Sequence, residues 1–343
     1  MRIAILGAGA IGSVLGGLLA KEGHDVTLVG RREHVDAIRA HGLRVDGCLG
    51  TFDLTVDAAT ALGSSPDLAL LAVKTQDVQA ALRQNRDFLL DVPLVTLQNG
   101  VRSDGLVAAT LRRADVVSAV VLVTATYLEP GRVTLVERGQ LVVGRPNGPR
   151  DALVGRVASI LNRAVPTRIS DNVAGAHWLK LLMNLNNALP ALTDRPLREV
   201  AQDAYLRDLA VGLMREGIQV VDRAGIRLEG LGNVSVRQVR LLTRLPTAWA
   251  GRVFARQAGR MGGPWPVLGS TLQSLRRGRP TEIDYLNGEI VALGRDVRVA
   301  TPLNARVLAL VHGLERTRAF YTADRLRAAF AAPDTGSTLV DGR

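Results

Sequence analysis

The chain opens on a pattern that few folds can accept. Arg2-Ile3-Ala4-Ile5-Leu6 is a short apolar run of the kind that forms a buried parallel strand. It leads directly into Gly7-Ala8-Gly9-Ala10-Ile11-Gly12, and Ser13 to Ala20 continues at helical spacing. Lys21-Glu22-Gly23-His24 reads as a turn, and Asp25-Val26-Thr27-Leu28-Val29 as a second strand. Strand, glycine loop, helix, strand is the context that a dinucleotide fingerprint requires. Gly7 permits the tight turn, Gly9 lets backbone approach a pyrophosphate, and Gly12 lets the helix pack on the strand. Ala8, Ala10 and Ile11 complete the cradle, where free N–H groups and the helix dipole favour phosphate. The alternative is a glycine-rich turn in an α/β domain that binds nothing.

The end of the second strand bears on the cofactor. An acidic residue there would suit the ribose hydroxyls of NAD. This chain has Gly30-Arg31-Arg32, and guanidinium groups at Arg31 and Arg32 suit a 2′-phosphate, which they grip with paired hydrogen bonds. NADP(H) is the expected cofactor; solvated surface arginines are the alternative.

Further strand–helix units follow. Asp67 to Val73 ends at Lys74-Thr75-Gln76, and Leu94 to Leu97 ends at Gln98-Asn99-Gly100. Ligands bind beyond the carboxyl ends of strands in open α/β sheets, which makes Lys74 and Asn99 cleft candidates. Asn99-Gly100 also fits a plain turn. Val116–Val123 and Gln140–Val143 read as later strands joined through a Pro130-Gly131 turn. Beyond about Ser170 helical patterns dominate, including Leu197 to Ala224 and Val234 to Leu245. The expected fold class is α/β, an N-terminal Rossmann-type parallel sheet with a C-terminal all-helical domain. Its units are a nucleotide domain at 1–168, a helical substrate domain at 169–331 and a disordered tail at 332–343.

Within the helical half, Ala176 to Asn187 places Lys180, Asn184 and Asn187 on one narrow face, at roughly 100° per residue. That face is either a site wall or a solvated stripe. Of 43 basic residues, all but Lys21, Lys74 and Lys180 are arginine, so lysine at 180 stands against the chain's habit. An ammonium can give up a proton where a guanidinium cannot. Farther on, Ser270 with Gln273 fits a capping box, and Glu282 fits the first turn of a helix, where a carboxylate complements the dipole.

The net charge is +11, but only 3% of residues are aromatic and the arginines are dispersed. That argues against nucleic acid and for an acidic small molecule. The longest apolar-rich stretch, Val116 to Leu128, is too short to span a bilayer. A single cysteine, Cys48, excludes an internal disulfide, and no residue cluster suggests a metal. With no signal-like opening segment, a soluble cytoplasmic protein without membrane attachment is expected. The basic 252–270 stretch, with its Gly262-Gly263-Pro264-Trp265-Pro266, reads as a loop within the helical domain.

Taken together, Gly7 to Gly12, Val73-Lys74, Gln98-Asn99-Gly100-Val101, Trp178-Leu179-Lys180-Leu181 and Thr281-Glu282-Ile283-Asp284-Tyr285-Leu286-Asn287-Gly288 resemble the ketopantoate reductase (2-dehydropantoate 2-reductase) family. The resemblance spans nearly the whole chain in order. It implies NADPH-dependent reduction of a 2-oxo acid, 2-dehydropantoate to pantoate, in pantothenate biosynthesis. Lys180 would be the general acid, and Glu282 would hold the substrate and cofactor side of the cleft. Asn184 and Ser270 would bind substrate, Asn99 would lie where cofactor and substrate meet, and Arg31 would meet the 2′-phosphate. The chain departs from the family pattern at Ala188, where a second asparagine is frequent and Asn187 could substitute. It departs also at Arg102, where glycine is common, and at Ser274, where aspartate is frequent. A related reductase of another 2-oxo acid and a non-catalytic NADP-binding sensor are the rivals. The oligomeric state is left open, with a homodimer as one option.

Overall fold

A computed structural model describes residues 1–112, 116–259 and 268–331. The strands are β1 (Arg2–Leu6), β2 (Asp25–Val29), β3 (Leu43–Gly47), β4 (Phe52–Leu54), β5 (Asp57–Ala59), β6 (Leu68–Leu71), β7 (Leu94–Thr96), β8 (Val117–Val121), β9 (Thr124–Glu129), β10 (Arg132–Glu137), β11 (Leu141–Gly144) and β12 (Thr167–Ile169). Eight of them form one sheet in the order β12-β11-β8-β7-β6-β1-β2-β5. Every pairing in it is parallel except β11 on β8. The order reverses at β1, with β2 on one side and β6 on the other, so a crevice opens beyond the carboxyl ends of these strands. The central strands are apolar on both faces because helices cover both, as in Leu68–Leu71, where all four residues are buried.

The Pro130-Gly131 turn corrects one expectation. It joins β9 to β10 in a hairpin, and this hairpin belongs to a second sheet, β4-β3-β10-β9, that the sequence reading did not foresee. These strands are partly exposed, and β4 has only three residues, so their alternation is weak as a sequence signal. The sheet packs against the first helix, Ala10–Lys21, and brings Tyr127 to the crevice.

The large sheet runs through Ile169, and the helical part starts at Val173. The single helical pattern read over Leu197 to Ala224 is two helices, Leu197–Gln202 and Ala204–Arg223. Asp203 separates them, and its carboxylate accepts the N–H groups of Tyr205 and Leu206 as an N-cap. The basic stretch is helical from Thr247 to Ala258, whereas the segment 262–266 and the tail at 332–343 lie outside the described residues. Among the described residues, no helix is long and apolar enough to cross a membrane.

The two cores meet on the sheet itself. On β8, Ala119 and Val121 face the nucleotide-domain core, while Val120, together with Val142 of β11, packs with Val173, Ala176 and Leu179 of the helical domain. This period of two lets one strand serve two cores. It also fixes helix Val173–Asn184 against the sheet, close to the crevice.

Candidate active site

The glycine loop is built as its spacing requires. Gly7 has φ +113°, and a Cβ there would sit 2.3 Å from the Val73 nitrogen. A Cβ on Gly12 would sit 2.1 Å from the Gly7 oxygen. Both glycines are therefore demanded by the protein's own packing. Gly9 differs: a Cβ there would meet no protein atom within 4 Å. The space in front of it is open, as a site for close approach of a phosphate demands. Gly9 also occupies the N-cap position of helix Ala10–Lys21 without a side-chain cap, which leaves first-turn N–H groups free.

A single cavity of 1930 Å³ connects this loop with the helical domain. Gly7, Ala8, Gly9, Ala10, Ile11, Arg31, Lys74 and Asn99 line it from the nucleotide side, and Lys180, Asn184, Asn187, Ser270 and Glu282 from the helical side. Gly12 and Arg32 are not on its wall. Gly12 supports the loop from behind, and Arg32 is exposed as the first residue of helix Arg32–His41.

Helix Val173–Asn184 is capped by Asn172, whose side chain accepts from the Gly175 nitrogen at 3.2 Å. Its apolar residues are buried against the sheet and neighbouring helices, which turns Lys180 toward the cavity. Burial pushes the Lys180 pKa down to about 8, against an upward pull from the Glu282 carboxylate. The α-helix ends at Asn184, and Asn187 sits in a following 3₁₀ turn. Its amide still reaches back to the Asn184 side-chain oxygen at 3.3 Å, so the two carboxamides form one polar ledge beside Lys180.

The expected helix-terminus roles of Ser270 and Glu282 do not hold. Gly269 is the N-cap of helix Ser270–Arg276, no side-chain cap is made, and Ser270 faces the cavity instead. Glu282 precedes a three-residue 3₁₀ turn that it does not cap. Its Oε1 accepts from the Thr75 nitrogen at 3.1 Å and from Thr75 Oγ1 at 3.2 Å. A carboxylate with two donors on offer across the cleft is held there rather than over its own helix end.

Neighbouring contacts also bridge the two halves. Lys74 donates to Ser274 Oγ at 2.6 Å and to the Pro280 carbonyl, and Gln76 donates to the Thr281 carbonyl at 3.3 Å. Arg102 pairs with Glu289, whose carboxyl is pushed up by burial. Two of the departures from the family pattern, Ser274 and Arg102, thus lie in contacts between the domains.

Several site residues were missed from sequence. Thr75 carries the tie to Glu282. His177, one turn before Lys180, is buried with its Nε2 2.8 Å from Ser118 Oγ, and Ser118 donates to Asp104 at 2.8 Å. Burial lowers the His177 pKa to about 4, so the ring beneath Lys180 is neutral at pH 7. Tyr127 and Arg277 also line the cavity, but both depend on the unforeseen second sheet or on loop geometry. The polar Thr75 after Lys74 was the one legible signal among these.

A Rossmann-type nucleotide crevice closed by a half-buried lysine and a tethered carboxylate from a helical domain defines a nicotinamide-dependent oxidoreductase. Residues 3–148 match the family description "Ketopantoate reductase PanE/ApbA", and residues 172–315 match its C-terminal counterpart. The chain belongs to the ketopantoate reductase family. It is 31% identical over 318 residues to a 2-dehydropantoate 2-reductase of Pyrococcus horikoshii, covering 92% of this chain and 98% of that one. It is 33% identical to the crystal structure of a PanE/ApbA family ketopantoate reductase from Ralstonia eutropha JMP134, with TM-score 0.77 and coverage of 93% and 99%. A ternary structure of D-mandelate dehydrogenase with NADH and anilino(oxo)acetate is similar at 25% identity and TM-score 0.79, covering 92% and 99%.

Proposed function

We propose that this protein uses NADPH to reduce 2-dehydropantoate to pantoate, with Lys180 as the general acid. The observation that carries this reading is one cavity walled by the glycine loop on one side and by Lys180 and Glu282 on the other. The open space at Gly9 and the uncapped helix behind it fit a pyrophosphate, and Arg31 fits a 2′-phosphate. When bound, the dihydronicotinamide supplies a hydride. The chain's own part is to bind, orient and protonate. Asn184, Asn187 and Ser270 offer hydrogen bonds to a polar substrate. The Lys180 ammonium stabilises negative charge developing on the carbonyl oxygen and then gives it a proton. Its lowered pKa makes that donation easier near neutrality. Glu282, fixed by Thr75, keeps a negative charge near the amine and favours its protonated form.

The test is NADPH oxidation with 2-dehydropantoate and a panel of other 2-oxo acids, for the wild type and Lys180→Ala. Turnover that depends on Lys180 supports the reading; a Lys180→Ala variant with undiminished turnover removes it.

A second reading, reduction of a bulkier 2-oxo acid, is favoured by the apolar lining of the cavity, by positions 188 and 274, and by one structural likeness. The helical-side wall includes Met183, Met214, Val239, Leu242, Phe254 and Leu268. Position 188 is alanine, and the Ser274 hydroxyl is engaged by Lys74 and by the Ser270 carbonyl. The likeness to a D-mandelate dehydrogenase points the same way. A higher kcat/KM for an aromatic or branched 2-oxo acid than for 2-dehydropantoate would select this reading.

A further inference from the structure

We propose that Arg277 of the helical domain joins Arg31 of the nucleotide domain in gripping the 2′-phosphate of NADPH, so that this phosphate is held from both sides of the cleft. The proposal rests on the NADPH reading above and adds a residue that nothing in the dinucleotide fingerprint predicts.

Arg277 follows helix Ser270–Arg276, half-buried on the cavity wall. Its Nε donates to the Gln273 carbonyl at 3.2 Å, which anchors the side chain and leaves the terminal nitrogens free to reach outward. Its guanidinium carbon lies 5.1 Å from the centroid of the Tyr127 ring, a cation–π distance. The same ring lies 4.7 Å from that of His34. His34 is itself fixed, with Nε2 3.0 Å from Ser13 Oγ and Nδ1 accepting from the Gly131 nitrogen at 2.9 Å. It stands three residues after Arg31, in the helix that Arg31 begins as N-cap. Tyr127 therefore connects Arg277 to the corner at the end of β2, where the adenosine ribose of a dinucleotide lies in this fold class.

The charges point to an anion. Arg31, Lys74, Arg277 and Arg279 all line this cavity. Among the described residues, Arg31, Arg277 and Arg279 have no carboxylate within ion-pair distance. The carboxylates lining the same cavity are Glu33, Asp77, Glu137 and Glu282, of which Glu282 is engaged by Thr75. Burial, then the positive charges of Arg31 and Arg279, depress the Arg277 pKa against an opposing effect of Tyr127. Like charges gathered at a partly buried wall repel until a counter-charge arrives. A phosphate dianion meets that need with two charges and with oxygens that match guanidinium forks. Lys74 is the least available of the four, because its amine already serves Ser274 and Pro280.

The experiment is calorimetric titration of the full chain with 2′,5′-ADP and with 5′-ADP, in the wild type, Arg277→Ala, Arg277→Lys and Arg31→Ala. Arg277→Ala should weaken 2′,5′-ADP about ten-fold while 5′-ADP changes by less than about two-fold, as expected for one lost charge-assisted contact. Arg277→Lys keeps the charge without the planar fork and should fall between. KM for NADPH should rise in Arg277→Ala by a larger factor than KM for NADH. Equal weakening of both probes, or none, overturns the proposal. If Arg31→Ala removes the preference for 2′,5′-ADP and Arg277→Ala does not, the proposal fails and the NADPH reading stands. If the wild type binds the two probes equally, the NADPH reading falls and the proposal falls with it.

Discussion

Glu282 is held in the cleft by Thr75, a residue 207 positions earlier in the chain, through two hydrogen bonds of 3.1 and 3.2 Å to one carboxylate oxygen. The donors are a backbone N–H at the end of a parallel strand unit and the hydroxyl beside it, whose one proton is shared with the Asn99 carbonyl at 3.2 Å. A side chain of the helical domain thus takes its position from the nucleotide domain. Thr75→Val keeps the backbone donor and the shape but loses the hydroxyl. A buried hydrogen bond to a charged group contributes about 1.5–3 kcal/mol. We expect kcat/KM to fall by about ten-fold or more, with the larger change in kcat, as measured by steady-state NADPH oxidation.

The general-acid role proposed for Lys180 predicts a pH profile. Its pKa of about 8 means that the ammonium, the form able to donate, predominates below pH 8. The rate of carbonyl reduction should therefore fall as pH rises through about 8. The reverse oxidation needs the neutral amine and should rise over the same range. Lys180→Ala should lower kcat by about 10²–10⁴-fold and erase the break near pH 8, while NADPH binding, followed by fluorescence titration, is largely retained. A break that survives in Lys180→Ala would assign it to another group.

The glycine loop separates folding from binding. Gly12→Ala places a methyl 2.1 Å from the Gly7 oxygen and should lower Tm by several degrees. Gly9→Ala meets no protein atom within 4 Å and has ordinary backbone angles, so Tm without cofactor should hardly move. Its methyl fills the space proposed for the pyrophosphate, and cofactor affinity should drop. Calorimetry of melting and of binding checks both halves of this contrast.

Arg102 and Glu289 make stability depend on pH. Burial raises the Glu289 pKa, so the folded state holds its proton to higher pH than the unfolded state does. Stability from this group is full below the unfolded value and declines as pH rises through the raised one; the Arg102 guanidinium limits that decline. Arg102→Ala leaves a buried carboxylate unpaired and should destabilise by about 1–3 kcal/mol at pH 7. Because burial raises the Glu289 pKa, the deficit should shrink as pH falls and the carboxyl takes up its proton, which denaturant unfolding across a pH series would reveal.

What the sequence made legible was local. The glycine loop, β1, β2 and the polar face of the 173–187 region follow from spacing within twenty residues, and the geometry keeps them. The second sheet was hidden because its strands are partly exposed, β4 has only three residues, and β3 pairs with β10 across nearly ninety residues. Tyr127 was hidden with it. Ser270 and Glu282 each satisfied a local capping rule, yet the long-range partners won: Ser270 faces the cavity, and Glu282 meets Thr75. A helix-end rule weighs only neighbours in sequence, whereas a donor pair across a cleft offers a charged oxygen stronger contacts.

The contacts of Lys74, Thr75 and Gln76 with Ser274, Glu282 and Thr281 have an implication for assembly. As the chain leaves the ribosome, the phosphate cradle is complete within the first few dozen residues, and Lys180 emerges midway. Residues 74–76 nevertheless wait for some two hundred more before their partners exist. The pocket is finished only when about four-fifths of the protein has emerged, so a product truncated before that point could retain a nucleotide fold and still lack an enclosed reaction chamber.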